Sequence, residues 1–247
     1  VHSETKRFQR KVDEAIDIAK EGAKHRLFVA LSGGKDSSAV AGIVHEAGID
    51  APCVHGTSSM ALPESRQTAV AVCKRLDMDL TIVEPTDDPW QILRDMEGSL
   101  FDADNWTKFC FAAGEIQVLV WYRMANDYEG AFLGLRAKES TPRRLNAIMR
   151  GPTYHVKDGD SWACCPIQWW TTEDVYAYLV SRAIPIHPYY RRIYERFGVA
   201  PDESRVSMAI PNEEVCSLGA LVYLRALYPD LWRRLREARP EIVQYGG

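Results

Sequence analysis

No stretch of the 247 residues reaches the ~20 consecutive apolar residues that a membrane-spanning helix needs. The opening Val1-His2-Ser3-Glu4 lacks the basic-then-apolar pattern of a secretory signal, so a cytoplasmic protein is expected. Six cysteines, at 53, 73, 110, 164, 165 and 216, include no C-x-x-C pair and no regular framework, which makes free thiols the expectation. Positive charge is not in excess either: the net charge is -4, so any contact with nucleic acid must come from a local patch. There is no internal repeat and no low-complexity linker. Two common phosphate loops are also missing. The G-x-x-x-x-G-K-[ST] loop would need glycine where Val29 stands and Ser or Thr where Asp36 stands. The G-x-G-x-x-G loop fails because Gly33 and Gly34 are adjacent and no third glycine follows at the right distance.

What is present is an ordinary globular balance, 46% apolar and 26% charged, long enough for one α/β domain with an appendage. Phe8, Val12, Ile16, Ile18 and Ala19 form a helical stripe in an otherwise charged leader. Strands are expected over 27–31, 51–55, 80–83 and 131–133, and helices over 63–76, 89–97 and 114–126. This alternation reads as a parallel sheet whose ligands bind beyond the carboxyl ends of the strands.

The most informative segment joins the first strand to the helix after it: Ser32-Gly33-Gly34-Lys35-Asp36-Ser37-Ser38. Glycines permit close approach of backbone to ligand, and a helix beginning there offers N–H groups and the positive end of its dipole. Ser32, Ser37 and Ser38 add hydroxyls, Lys35 a point charge, and Asp36 a carboxylate suited to a magnesium ion bridging phosphate oxygens. The whole suits a polyphosphate.

Just past the fourth strand, residues 134–151 carry a charge of +4: Arg136, Lys138, Arg143, Arg144 and Arg150 against Glu139. A basic concentration at a strand's carboxyl end suits a polyanion, although a solvated surface loop has the same composition. Further on, Thr171 with Asp174 three residues later predicts a helix start, with Val175, Tyr178 and Leu179 on its buried side.

Ser-Gly-Gly-Lys-Asp-Ser resembles the PP-loop of ATP pyrophosphatases. Gly134, Arg136, Glu139, Ser140 and Arg143 match the G-x-R-x-x-E-S-x-x-R signature of that superfamily's phosphoadenosine phosphosulfate reductase branch. Pro166-Ile167 through Val175, with Ile184-Pro185-Ile186-His187-Pro188, is similar to a third segment of the same branch. The resemblance implies an α/β fold: a Rossmann-like parallel sheet with helices on both faces, adenine nucleotide α-hydrolase-like, and a C-terminal helical cap. It also implies a division into a PP-loop domain over 1–165 and a cap over 166–247 packed on the same core. Residues 32–38 with Gly134, Arg136, Glu139, Ser140 and Arg143 would then bind ATP, with Lys35, Ser37 and Arg136 catalytic and Asp36 holding Mg2+.

Three departures from the branch sharpen the expectation. The reductases' Glu-Cys-Gly-Leu-His run has no counterpart in the closing residues 241–247. Iron-sulfur members add a tandem Cys-Cys and a later C-x-x-C; Cys164-Cys165 is tandem, but only Cys216 follows, so a cluster from Cys110, Cys164, Cys165 and Cys216 is not favoured over buried thiols. The branch's Asp-Thr-Gly run is replaced by Thr57-Ser58-Ser59.

Near the C-terminus, Arg182, Arg191, Arg192 and Arg196 interleave with Tyr189, Tyr190, Tyr194 and Phe197. Such an array can stack bases, and an amphipathic helix explains it equally well. Helices are expected over 213–227 and 230–239. The combined expectation is an ATP pyrophosphatase that adenylates an acceptor for sulfur incorporation into nucleic acid, as in DNA phosphorothioation, with a cysteine desulfurase or other sulfur-donor protein as partner. A divergent sulfonucleotide reductase and a non-catalytic nucleotide-sensing subunit are the alternatives.

Overall fold

A computed structural model describes residues 2–100, 102–113, 115–200, 206 and 220–246. In chain order it contains α1 (Lys6–Gly22), β1 (Leu27–Ala30), α2 (Lys35–Glu46), β2 (Cys53–Gly56), α3 (Pro63–Leu76), β3 (Leu80–Val83), α4 (Pro89–Asp95), α5 (Ala103–Ala113) and α6 (Glu115–Ala125). These are followed by β4 (Gly130–Phe132), α7 (Thr141–Arg150), β5 (Thr153–Val156), β6 (Ser161–Cys164), α8 (Thr172–Ser181), α9 (Pro188–Phe197), α10 (Ala220–Leu227), α11 (Pro229–Ala238) and α12 (Val243–Gly246).

The six strands form one sheet in the order β3-β2-β1-β4-β6-β5. β1 runs parallel to β2 and β4, β4 runs parallel to β6, and β5 returns antiparallel to β6. The expected mostly parallel sheet with helices is therefore present. Because the order turns back at β1, the loops that leave β1 and β4 emerge side by side at the carboxyl edge, where α/β sheets bind ligands. The β5–β6 pair and helix α7 were not legible in the sequence: His155, Lys157 and Asp160 break the apolar pattern of the hairpin, and α7 looks like a basic loop.

The chain divides into two compact units, Val1–His55 with Arg66–Ile82 and Trp121–His187, and Gly56–Ser65 with Val83–Val120 and Pro188–Gly247. In the first, Phe8, Val12 and Ala19 of α1, Val29 of β1, Val40 and Ile43 of α2, and Val175, Tyr178 and Leu179 of α8 share one buried core. The leading helix is also pinned by charge: Asp174, fully buried, accepts from Lys11 and lies 2.9 Å from His2 Nε2. Thr171 and Asp174 form the expected capping box, with Asp174 N–H donating to Thr171 Oγ1 at 3.1 Å and Thr171 N–H donating to Asp174 Oδ2 at 2.7 Å.

In the second unit, Glu64 accepts from Arg192 and from Tyr228 Oη, the latter at 3.0 Å. Tyr189 and Tyr190 are buried, Arg196 donates to Ala226 O at 3.0 Å, and Arg191 pairs with Glu195. In the first unit Arg182 pairs with Glu46 at 3.0 Å. The arginine–tyrosine array thus serves internal packing and pairing, with Tyr194 exposed, as an amphipathic helix requires and a base-stacking platform does not. Of the helix expected over 213–227, the described part is α10, and Leu218 and Cys216 lie outside the described residues. No described helix is long and apolar enough to cross a membrane.

Candidate nucleotide site

Just past β1, buried Leu31 donates its N–H to Val54 O at 2.9 Å, and the chain then turns through Gly33 at φ +80, a conformation glycine adopts without strain. Gly34 is the N-cap of α2 and has no side chain to cap with. The serines do that work. Ser37 Oγ donates to Gly34 O at 3.1 Å, accepts from Ser32 N–H at 3.2 Å, and lies 3.0 Å from Ser32 Oγ, which in turn accepts from Gly34 N–H at 3.3 Å. The loop is closed on itself, so the first turn of α2 is held with its N–H groups and positive dipole end directed beyond the sheet.

Lys35 is 2% exposed, a burial that lysines rarely reach unless paired, and its Nζ lies 3.1 Å from Asp36 Oδ2. The other oxygen of Asp36 accepts from Arg136 Nε at 2.6 Å. Arg136 is 3% exposed, and its Nη1 also donates to Trp170 O at 3.4 Å. Arg136, expected from the sequence to bind the nucleotide, thus also joins the β4 loop to the first turn of α2. Glu139 continues the network, accepting from Arg136 N–H at 3.1 Å and from Arg143, while Ser140 Oγ caps α7 by accepting from Arg143 N–H at 3.3 Å. Gly134 explains itself by proximity: a Cβ there would stand 2.7 Å from Ser37 N and 2.8 Å from the Asp36 carbonyl carbon. All the residues selected from the sequence lie in these two segments of one unit, and the structure links them through Asp36–Arg136 and Gly134–Ser37.

Asp36 was the expected magnesium ligand. Its two oxygens face Lys35 Nζ and Arg136 Nε, and no group of three His, Cys, Asp or Glu side chains suited to a metal ion occurs among the described residues. The tandem cysteines likewise diverge. Cys164 packs against α1, donating to Ile18 O at 3.6 Å, whereas Cys165 lines a cavity of about 30 Å³ with Arg143, Tyr154 and Gln168. Burial pushes the Cys164 thiol up to about 11 and the Cys165 thiol up to about 12, and it raises Cys110 on α5 as well.

Sequence reading missed His55. It is 1% exposed at the end of β2, and its Nδ1 meets Leu31 O at 2.7 Å, just before the loop. Burial lowers its pKa, aided by Arg66, so the neutral ring donates from Nδ1 and keeps a lone pair on Nε2, for which no hydrogen-bond partner is found among the described residues. A polar residue closing the run 51–55 was the available signal. Ser38 Oγ is likewise buried and has no hydrogen-bond partner among the described residues. Burial raises the Tyr176 phenol, and the charge of Asp36 raises it further. A larger cavity, about 1290 Å³, is lined by Leu27, Ala51, Leu80 and Glu129 at the opposite, amino-terminal edge of the sheet, away from every motif residue.

Known proteins resemble this chain in sequence and fold. A phosphoadenosine 5'-phosphosulfate reductase of Xanthomonas campestris pv. campestris is 25% identical over 207 residues, 80% of this chain and 78% of that protein. Among solved structures, the NH3-dependent NAD synthetase of Campylobacter jejuni covers 97% of this chain and 96% of its own, with TM-score 0.52 at 18% identity. The U34-tRNA thiolase NcsA of Methanococcus maripaludis, solved with its [4Fe-4S] cluster, covers 95% and 80%, with TM-score 0.52 at 14% identity. At those identities the structures establish the adenine nucleotide α-hydrolase-like fold. Residues 26–205 match the phosphoadenosine phosphosulfate reductase domain, and the chain belongs to that family.

Proposed function

We propose that this chain is a PP-loop ATP pyrophosphatase that adenylates an acceptor. An acceptor oxygen attacks the α-phosphorus of ATP, the bond from that phosphorus to the bridging oxygen breaks, and pyrophosphate leaves with the electron pair. A sulfur nucleophile then displaces AMP. The observation that carries the reading is the closed loop 32–38 at the β1/β4 switch point, with a buried ammonium at its first turn. Preorganised N–H groups and a fixed positive charge favour the charge that develops on departing pyrophosphate. Any magnesium would come with the phosphates, since Asp36 is engaged by Lys35 and Arg136.

The setting we favour is sulfur incorporation into nucleic acid, of the DNA phosphorothioation type, with a cysteine desulfurase or similar donor; the thiolase with the same fold supports it by analogy. A second reading, a divergent sulfonucleotide reductase, is favoured by the 25% identical reductase. The burial and raised pKa values of Cys164 and Cys165 speak against the tandem pair as its nucleophile, because reduction needs an accessible thiolate. The deciding experiment incubates the protein with ATP and candidate acceptors and measures pyrophosphate. Lys35→Ala and Ser37→Ala should each slow its release at least ~10-fold, as loss of a charge-assisted hydrogen bond does. ATP binding without pyrophosphate would leave a nucleotide-sensing subunit instead.

A further inference from the structure

Helix α7 presents an apolar stripe outward. Leu145, Ile148 and Met149 are 54%, 62% and 82% exposed, and their i, i+3, i+4 spacing sets them on one face. The opposite face is already packed: Ala147 is buried, Asn146 donates to Tyr154 Oη at 3.1 Å, and Arg150 lies 5.5 Å from the Tyr154 ring centre. Scattered exposed leucines are normal on a surface; three large aliphatic side chains side by side on a helix with its inner face satisfied are not. The helix holds three arginines and no carboxylate, in a chain of net charge -4, and exposed Arg144 borders the stripe.

We propose that this face docks a partner protein through an acidic amphipathic segment, its apolar ridge covering Leu145, Ile148 and Met149 and its carboxylates meeting Arg144. Nucleic-acid phosphates would use the arginines yet leave the aliphatic stripe uncovered, and it is burial of that stripe against other apolar groups that stabilises the contact, at about 25 cal/mol per Å². A second copy of this chain packing α7 on α7 would bring arginines together. The position gives the contact consequence: Glu139, adjoining the cap of α7, holds Arg136, which holds Asp36 of the loop.

The test titrates the full chain with a stapled helical peptide bearing Leu at i, i+3, i+4 and i+7 and Glu at the flanking positions, with its Lys-for-Glu twin, and with duplex DNA. The Glu peptide should bind, and the Lys twin should bind at least ~10-fold more weakly. Ile148→Ser and Arg144→Glu should each weaken the Glu peptide about tenfold or more while leaving the thermal midpoint unchanged. Absence of binding, equal binding of both peptides, indifference to Ile148→Ser, or displacement of the peptide by DNA would each overturn the proposal.

Discussion

Arg136 reaches from the loop after β4 to Asp36 in the first turn of α2, Nε to Oδ1 at 2.6 Å, with both side chains largely out of water. An ion pair so placed stabilises little against an apolar equivalent, but removing one partner leaves the other charged and undersolvated. Arg136→Ala should therefore lower stability by about 3 kcal/mol or more in urea unfolding. In the Arg136→Ala background, Asp36→Asn should cost much less than it does alone, and additive effects would dissolve the link. Arg136→Lys should recover only part of the loss, since an ammonium cannot serve Asp36 Oδ1 and Trp170 O together with guanidinium geometry.

That relationship marks where sequence reading ends. Segment 32–38 was legible because a glycine turn between an apolar strand and a helix has few structural solutions, and helix 63–76 and strand 80–83 were legible from periodicity and flanking turns. The direction in which Arg136 points was not. A basic run at a strand's end has one composition whether it faces a ligand or a carboxylate 100 residues earlier, and only the sheet order brings Asp36 to it. Lys11 and His2 on Asp174 are the same case, a contact across more than 160 residues with no local signal.

Gly134 is predicted to tolerate no side chain. A Cβ would press on backbone atoms of Ser37 and Asp36, not on a side chain that can turn away. Gly134→Ala should shift the first turn of α2 and reduce pyrophosphate release by ~10-fold or more, since displacements near 1 Å carry such penalties. Unaltered turnover would mean that the two segments do not need their close approach.

The Asp174 anchor should make stability depend on pH in acid. Burial alone would raise this carboxyl, but hydrogen bonds from Lys11, the Thr171 N–H and His2 outweigh it and hold the pKa at about 2, below the ordinary value near 3.8. A depressed carboxylate contributes stability that is fully present above its unfolded pKa and is lost as pH falls through the folded one. The stability difference between the native chain and Asp174→Asn, measured by urea titration, should be constant from neutrality to about pH 5 and shrink between about 4 and 2. A difference that did not change over that range would remove Asp174 as its source.

The final prediction separates adenylation from sulfonucleotide reduction. Reduction requires a thiolate that attacks sulfur and is afterwards regenerated, so the cysteine must be ionised and reachable. Cys164 is buried against α1 with a pKa of about 11, and Cys165 is buried beside Tyr154 with one of about 12. Cys53 lies in β2, where a hydrogen bond with Cys73 and burial push its thiol up. At pH 8 these thiols should react with iodoacetamide far more slowly than a free cysteine. With phosphoadenosine phosphosulfate and reduced thioredoxin the protein should release no sulfite, while with ATP and an acceptor it should release pyrophosphate that survives Cys165→Ser and is lost with Lys35→Ala. Thioredoxin-dependent sulfite that disappears in Cys164→Ser or Cys165→Ser would instead make the tandem pair the reaction centre, and the closed loop would then hold the phosphates of a sulfonucleotide.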